Sequence, residues 1–259
     1  ILNDLEIIER CVVSTSKKND SVFIYFHNKL PYSKILSDRK FTYELSIVPK
    51  ISIKPNIKIN PIISDKVNPI VVFDTAEKMS LVKDKSVDLM VTSPPYWDLK
   101  NYLKDGQIGQ ETYLQYLGRL KLVWEETFRV LNDRGSMWIN INTRTKNKKP
   151  ILIPQDIINQ SREIGFKLKK IIIWHKSSGI PTHKNNIVDR FEYFLWFVKS
   201  NEFYFNSNYL SKVNDYQNKN LKGGTIWNIN RKAGSVGKDY VHPAIYPIKL
   251  IERIIMLCS

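Results

Sequence analysis

The chain has 259 residues, 40 lysines and arginines against 25 acidic residues, a net charge of +15 and a pI near 9.6. That length suffices for one large domain with a proper core, and the basic excess favours a polyanionic partner, because each phosphate neutralised releases condensed counterions. The two cysteines, Cys11 and Cys258, lie too far apart for metal or redox spacing, no apolar run approaches the roughly 20 residues of a membrane span, and no signal-peptide pattern opens the chain, so a soluble, cytoplasmic protein in a reducing compartment is expected.

Residues 1–68 alternate short apolar runs such as Ser21–Phe26 with a Lys-, Pro- and Asn-rich stretch, and read as an appended region and linker without recognisable chemistry. From Ile70 the pattern alternates between β and α periods. Ile70–Phe73 predicts a short strand, Ala76–Val82 a helical turn or two, and Val87–Val91 a second strand, together a first βαβ-like unit. Leu114, Leu117, Leu120, Val123, Trp124, Phe128 and Leu131 recur at helical spacing and predict a helix from Thr112 to Leu131, ended by Asn132–Gly135. A strand over Ser136–Ile141, a helix over Pro154–Ile164 stopped by Gly165, and strands over Lys167–Trp174 and Glu192–Val198 follow. Strands alternating with helices predict an α/β fold, a mostly parallel twisted sheet of the Rossmann-like kind.

The most informative run is Thr92-Ser93-Pro94-Pro95-Tyr96-Trp97, entered from a strand. Two successive prolines fix φ and remove two N–H donors, so the backbone there presents carbonyl oxygens only. Ser93 adds a side-chain acceptor, and Tyr96 with Trp97 offers π-faces on which a flat ring can lie. Such a pocket suits the amino group of a nucleobase. Asp74, directly after a strand, is either an N-cap for the next turn or an acceptor for an adenine amine. Basic residues cluster in three further places: Lys176, His183, Lys184 and Arg190 around Gly179-Ile180-Pro181; Arg231, Lys232 and Lys238 in a glycine-containing loop; and Arg144–Lys149, which reads equally as a solvated loop. Gly234–Lys238 is not a phosphate loop, since its glycines are too close and Asp239 replaces the Ser or Thr. His175 and His183 are assigned no metal.

Ser93-Pro94-Pro95-Tyr96 resembles the catalytic signature of the DNA amino-methyltransferases, which move a methyl group from S-adenosylmethionine to an exocyclic amine. His242-Pro243-Ala244-Ile245-Tyr246-Pro247-Ile248-Lys249-Leu250 looks like the cofactor-side block of the circularly permuted (beta) branch, and the segments between fall in family order from about Ile70 onward. The resemblance implies catalytic roles for Ser93, Pro94, Pro95 and Tyr96. It implies cofactor binding by Asp74, Thr92, His242, Pro243, Ala244 and Pro247, and double-stranded DNA contacts by Trp97, Lys176, Lys184, Arg190, Arg231, Lys232 and Lys238. Residues 69–259 would form the catalytic domain, with DNA-recognition insertions around 176–240. A Ser at the first motif position favours N4 of cytosine over N6 of adenine, and the target base must be flipped from the duplex. The family's glycine-rich cofactor loop, expected just beyond the last residue, is not found, so a fold incomplete at the C-terminus is expected, completed by further residues or by a second chain. A non-catalytic DNA-binding half is the other reading, and a methyltransferase acting on RNA or protein glutamine a third.

Overall fold

The computed structural model describes the backbone of residues 11–16, 21–26, 43–45, 51–53 and 70–72, and residues 75–99, 106–177, 187–210, 213, 223–230 and 246–259 with their side chains. In chain order the strands are β1 Cys11–Ser16, β2 Ser21–Phe26, β3 Tyr43–Leu45, β4 Ile51–Ile53, β5 Ile70–Val72, β6 Val87–Thr92, β7 Leu131–Ile141, β8 Arg144–Lys146, β9 Lys149–Ile151, β10 Lys167–His175, β11 Phe191–Val198 and β12 Ile226–Asn228. The helices are α1 Tyr113–Val130, α2 Ile153–Ile164, the short α3 Ser207–Leu210 and α4 Ile248–Cys258.

Eight strands form one sheet in the order β12-β10-β11-β7-β6-β1-β2-β5. β12, β10, β7, β6, β2 and β5 run one way, while β11 and β1 run the other, which is the mostly parallel sheet expected. Successive side chains of a strand take opposite faces, and the core divides accordingly. Met137, Ile139, Leu195 and Phe197 point to the face covered by α1 and α2, whereas Trp138, Phe194, Trp196 and Val198 point to the face covered by α4. Covering both faces explains the near-continuous burial of β6 and β7.

Each helix is bounded by its own local chemistry. Thr112 and Gln115 form a capping box at the start of α1. A proline stands in the first turn of α2, and Gly165, at φ 117°, closes it in the left-handed conformation. Lys199 donates from Nζ to the carbonyls of Phe128 and Leu131, both at 2.7 Å, placing a cation at the negative end of α1. The buried face of α1 is Tyr116, Leu120, Val123, Trp124, Thr127 and Val130. Leu114, expected on that face, is 80% exposed; at about 100° per residue it lies on the far side from Thr127. Leu131 opens β7 instead of closing the helix. The Cys258 thiol is pushed up to about 12 by burial and is a packing group, not a nucleophile.

Two expectations are corrected in the segment before β6. Residues 75–86 form turns, not helix, and the hairpin β1–β2 separates β5 from β6, so the two do not flank one crossover unit. The turns persist because tertiary partners take the backbone groups a helix would have used. Glu126 accepts the N–H of Met79 at 2.6 Å, and Arg129 donates to the carbonyls of Met79 at 2.9 Å and Val82 at 3.0 Å. The Arg129 hydrogen bond holds the Glu126 carboxyl below its ordinary range, against burial, which pushes it up. A carboxyl so depressed stabilises the fold fully above its unfolded value, near 4.3, and loses that contribution as pH falls through its folded value. Glu126→Gln is therefore expected to lower stability by about 1 kcal/mol at pH 7. Near pH 3 it should unfold at the same urea concentration as wild type, and an equal deficit at both pH values would remove the carboxylate from the account.

Candidate active site

β6 lies inside the sheet, parallel to β7, with Thr92 opposite Ile139. It ends at Thr92 because Pro94 and Pro95 have no N–H to extend either ladder. Thr92 and Pro94 are buried, and Ser93, Pro95 and Tyr96 half-buried, at the carboxyl edge of β6. From α1, the buried Tyr116 donates its hydroxyl to the Pro95 carbonyl at 2.7 Å. The phenol thus holds the backbone just before Tyr96. The Pro95 carbonyl is engaged by this hydrogen bond; the Pro94 carbonyl has no partner among the described residues.

Trp97 has φ 50°, a conformation that bulky residues seldom adopt unless their surroundings impose it. Its indole N–H donates to the Glu111 carbonyl at 2.9 Å, its ring lies 5.0 Å from that of Tyr113, and the Lys146 ammonium stands 4.1 Å over it. Beneath it runs Gly109, at φ 104°, so close that a Cβ there would meet the Trp97 carbonyl oxygen at 2.6 Å. Gly109→Ala is accordingly expected to lower stability by about 2 kcal/mol or more. It should also cut activity, since relief of the clash moves the backbone next to Tyr96; thermal unfolding alongside turnover checks both.

The Tyr96 hydroxyl meets side chains of two neighbouring strands, β7 and β11. It donates to Glu192 Oε2 at 2.6 Å, with Asn140 Oδ1 at 3.4 Å. Glu192 Oε1 accepts from Lys176 Nζ at 2.5 Å. Asn140 is buried and donates to the Tyr193 carbonyl at 3.0 Å, which fixes its amide orientation. Burial, then the Glu192 carboxylate, then Tyr246 push the Tyr96 phenol well above its ordinary value, so it stays protonated and remains a donor.

Tyr246, from the second block, lies beside Tyr96 and packs its ring 6.2 Å from that of Phe194. Pro247 follows at the start of α4, where no side chain among the described residues caps the first N–H groups. Trp97 and Lys176, expected at the DNA surface, are instead engaged inside: Trp97 is 9% exposed, and the Lys176 side chain 17% in its pair with Glu192. Arg190 is exposed, and its carbonyl accepts the Lys176 N–H at 2.7 Å. Asp74, Lys184, Arg231, Lys232, Lys238, His242, Pro243 and Ala244 lie outside the described residues. Tyr116, Gly109, Asn140 and Glu192 were not singled out in the sequence. A polar residue opening an otherwise aromatic strand, as Glu192 does, was the one available signal.

Three comparisons bear on this geometry. The family model described as DNA methylase, of the N6/N4 type, matches residues 87–259. Type II methyltransferase M.Cfr9I of Citrobacter freundii is 31% identical over 207 residues, covering 66% of this chain and 66% of its own length. Type II methyltransferase M.MwoI of Methanothermobacter wolfeii is 30% identical over 193 residues, covering 72% of this chain; the chain spans only 26% of that relative. Among solved structures, PvuII DNA methyltransferase, described as cytosine-N4-specific, superposes with a TM-score of 0.56 at 18% identity, covering 73% of this chain and 69% of that one. This last likeness shows the fold, the Rossmann-like methyltransferase sheet. With a family model over most of its length and the Ser-Pro-Pro-Tyr motif at the carboxyl edge of the sheet, the chain belongs to the N6/N4 DNA methylase family.

Proposed function

We propose that the chain methylates N4 of cytosine in duplex DNA at a specific site, as the modifying enzyme of a restriction–modification system working in the cytoplasm. The observation that carries this reading is the pair of hydrogen acceptors at the motif, the Ser93 oxygen and the Pro94 carbonyl, beside the Tyr96 ring. The cofactor is S-adenosylmethionine, which supplies a methyl group already activated on a sulfonium. The residues present fit it: Thr92 ends the strand next to the motif, and the start of α4 at Pro247 offers N–H groups and a positive dipole end for a carboxylate. Asp74, His242, Pro243 and Ala244 are read as its remaining contacts.

An aromatic amine is a weak nucleophile because its lone pair is delocalised into the ring. Hydrogen bonds from its two N–H groups to Ser93 and to the Pro94 carbonyl draw the nitrogen toward tetrahedral geometry and free the lone pair. Tyr96 donates to Glu192, which holds its ring beside these two acceptors. Positioning of this kind supplies most of the acceleration. The base is flipped out at a cost of a few kcal/mol, and stacking on Tyr96 offsets part of it. Ser93 at the first motif position, by its resemblance to the family pattern, is read as favouring cytosine over adenine. The motif order is read as the circularly permuted one, with 69–259 as the catalytic unit and β1 and β2 of the preceding region extending its sheet. Arg190, Lys184, Arg231, Lys232 and Lys238 are read as DNA contacts, and Trp97 and Lys176 as residues that hold the motif in place.

Nucleoside mass spectrometry of mixed-sequence duplex DNA incubated with the chain and S-adenosylmethionine tests the reading. N4-methylcytosine is the expected product. N6-methyladenine in its place would transfer the assignment to the other base, and no methylated base, with cofactor binding demonstrated, would overturn the activity.

A further inference from the structure

β7 passes beyond the motif and leads at once into the antiparallel hairpin β8–β9, in which Lys146 pairs with Lys149 across a two-residue turn. Both turn residues, Asn147 at φ 52° and Lys148 at φ 62°, are left-handed, the geometry that matches the right-handed twist of a hairpin. Asn is a common occupant of such a turn. Lys is not, and at Lys148 a glycine would meet less steric resistance. The base of the hairpin is tied to the two residues that follow Tyr96. Arg144 Nε lies 3.3 Å from Asp98 Oδ1, Lys146 Nζ lies 2.6 Å from Asp98 Oδ2, and the same ammonium covers the Trp97 ring. Burial pushes the Asp98 carboxyl up, but its hydrogen bond and charge interaction with Lys146, with Arg144 behind, outweigh this and hold it below the usual range.

The hairpin therefore carries four cations against one carboxylate. Lys148 and Lys149, at the turn, are exposed and have no ion pair among the described residues. Lys85, Lys121 and Lys176, by contrast, each face an acidic side chain within 3.5 Å. A rigid, anchored ribbon that holds two unneutralised ammonium groups beside the site suits an anionic polymer lying across that site.

We propose that the β8–β9 hairpin binds the DNA backbone, with Lys148 and Lys149 on phosphates of the duplex flanking the base held at Ser93–Tyr96. The proposal rests on the DNA methyltransferase reading and adds a surface to it. Equilibrium binding of the chain to duplex DNA is measured against salt concentration for wild type, for Lys148→Gln with Lys149→Gln, and for Lys148→Gly. Removing one lysine–phosphate interaction lowers the magnitude of the log–log slope by about 0.9, so the double variant should fall short of wild type by roughly 1.8 and Lys148→Gly by about half of that.

Lys148→Gly also relieves the left-handed strain, so its melting temperature should equal or exceed that of wild type while its slope falls; a merely structural role would not produce that combination. Lys83→Gln with Lys85→Gln, on the turn at the opposite end of β6, removes the same charge and should leave the slope unchanged. Wild-type slopes in both tip variants, on a chain that still binds and methylates DNA, would overturn the hairpin and leave the activity standing. An equal fall in the Lys83 and Lys85 control would reduce the effect to bulk charge and also overturn it. No DNA binding by wild type would overturn this proposal and the activity reading together.

Discussion

Ser93→Ala is expected to lower turnover on DNA by a factor of about 10² to 10³, the loss seen when one preorganised hydrogen-bonding group is removed from a developing charge. The reason lies in how little else at the site can replace it. Prolines at 94 and 95 leave only carbonyls on the backbone, and Tyr116 already occupies the Pro95 carbonyl at 2.7 Å. Without Ser93 the amine has the Pro94 carbonyl alone, and one of its two hydrogens is left unpaired. The loss should appear in kcat, with cofactor affinity unchanged, because Ser93 is proposed to touch the base. Calorimetric binding of S-adenosylmethionine beside steady-state turnover separates the two, and equal losses in both would move Ser93 from the base to the cofactor. Ser93→Asp, which restores an acceptor, should recover part of the rate; failure to recover any would mean that shape matters more than hydrogen bonding.

Tyr96→Ala should lower turnover by roughly 5- to 150-fold, the range that corresponds to the 1–3 kcal/mol of a base stacked on an aromatic ring. Tyr96→Phe keeps the ring but removes the hydroxyl that donates to Glu192 at 2.6 Å. Its loss should be smaller than that of Tyr96→Ala, about tenfold, and should fall on kcat. Glu192→Gln keeps an oxygen acceptor but abolishes the ion pair with Lys176, so its defect should resemble that of Tyr96→Phe. Because both act through one hydrogen bond, the double variant should be little worse than either single one. Additive losses would show that Glu192 acts elsewhere. Full activity of Tyr96→Phe would confine Tyr96 to stacking.

Much of this was legible in the chain itself. Helices α1 and α2, and strands β6, β10 and β11, fall within a residue or two of where periodicity and the stop at Gly165 put them. These signals are local: the burial period of an element, the missing N–H of a proline and the left-handed tolerance of a glycine are written within a few residues. The Ser-Pro-Pro-Tyr motif is local for the same reason, and its place at the end of a strand followed from the prolines.

What failed to read out depends on partners far along the chain. Ala76–Val82 is expected as a helical turn or two but forms turns, because Glu126 and Arg129, more than 40 positions away, capture the backbone of Met79 and Val82. Trp97 and Lys176 look like surface residues by type, yet Tyr113, Lys146 and Glu192 draw them inward. Tyr96 and Glu192 are 96 positions apart. The amino-acid sequence by itself determined the elements, the motif and the chemistry the motif can offer. Only the tertiary structure decided which proline carbonyl has a partner and which carboxylate orients the tyrosine, since hydrogen-bond partners at such separations are chosen by strand order and register, not by any pattern along the chain.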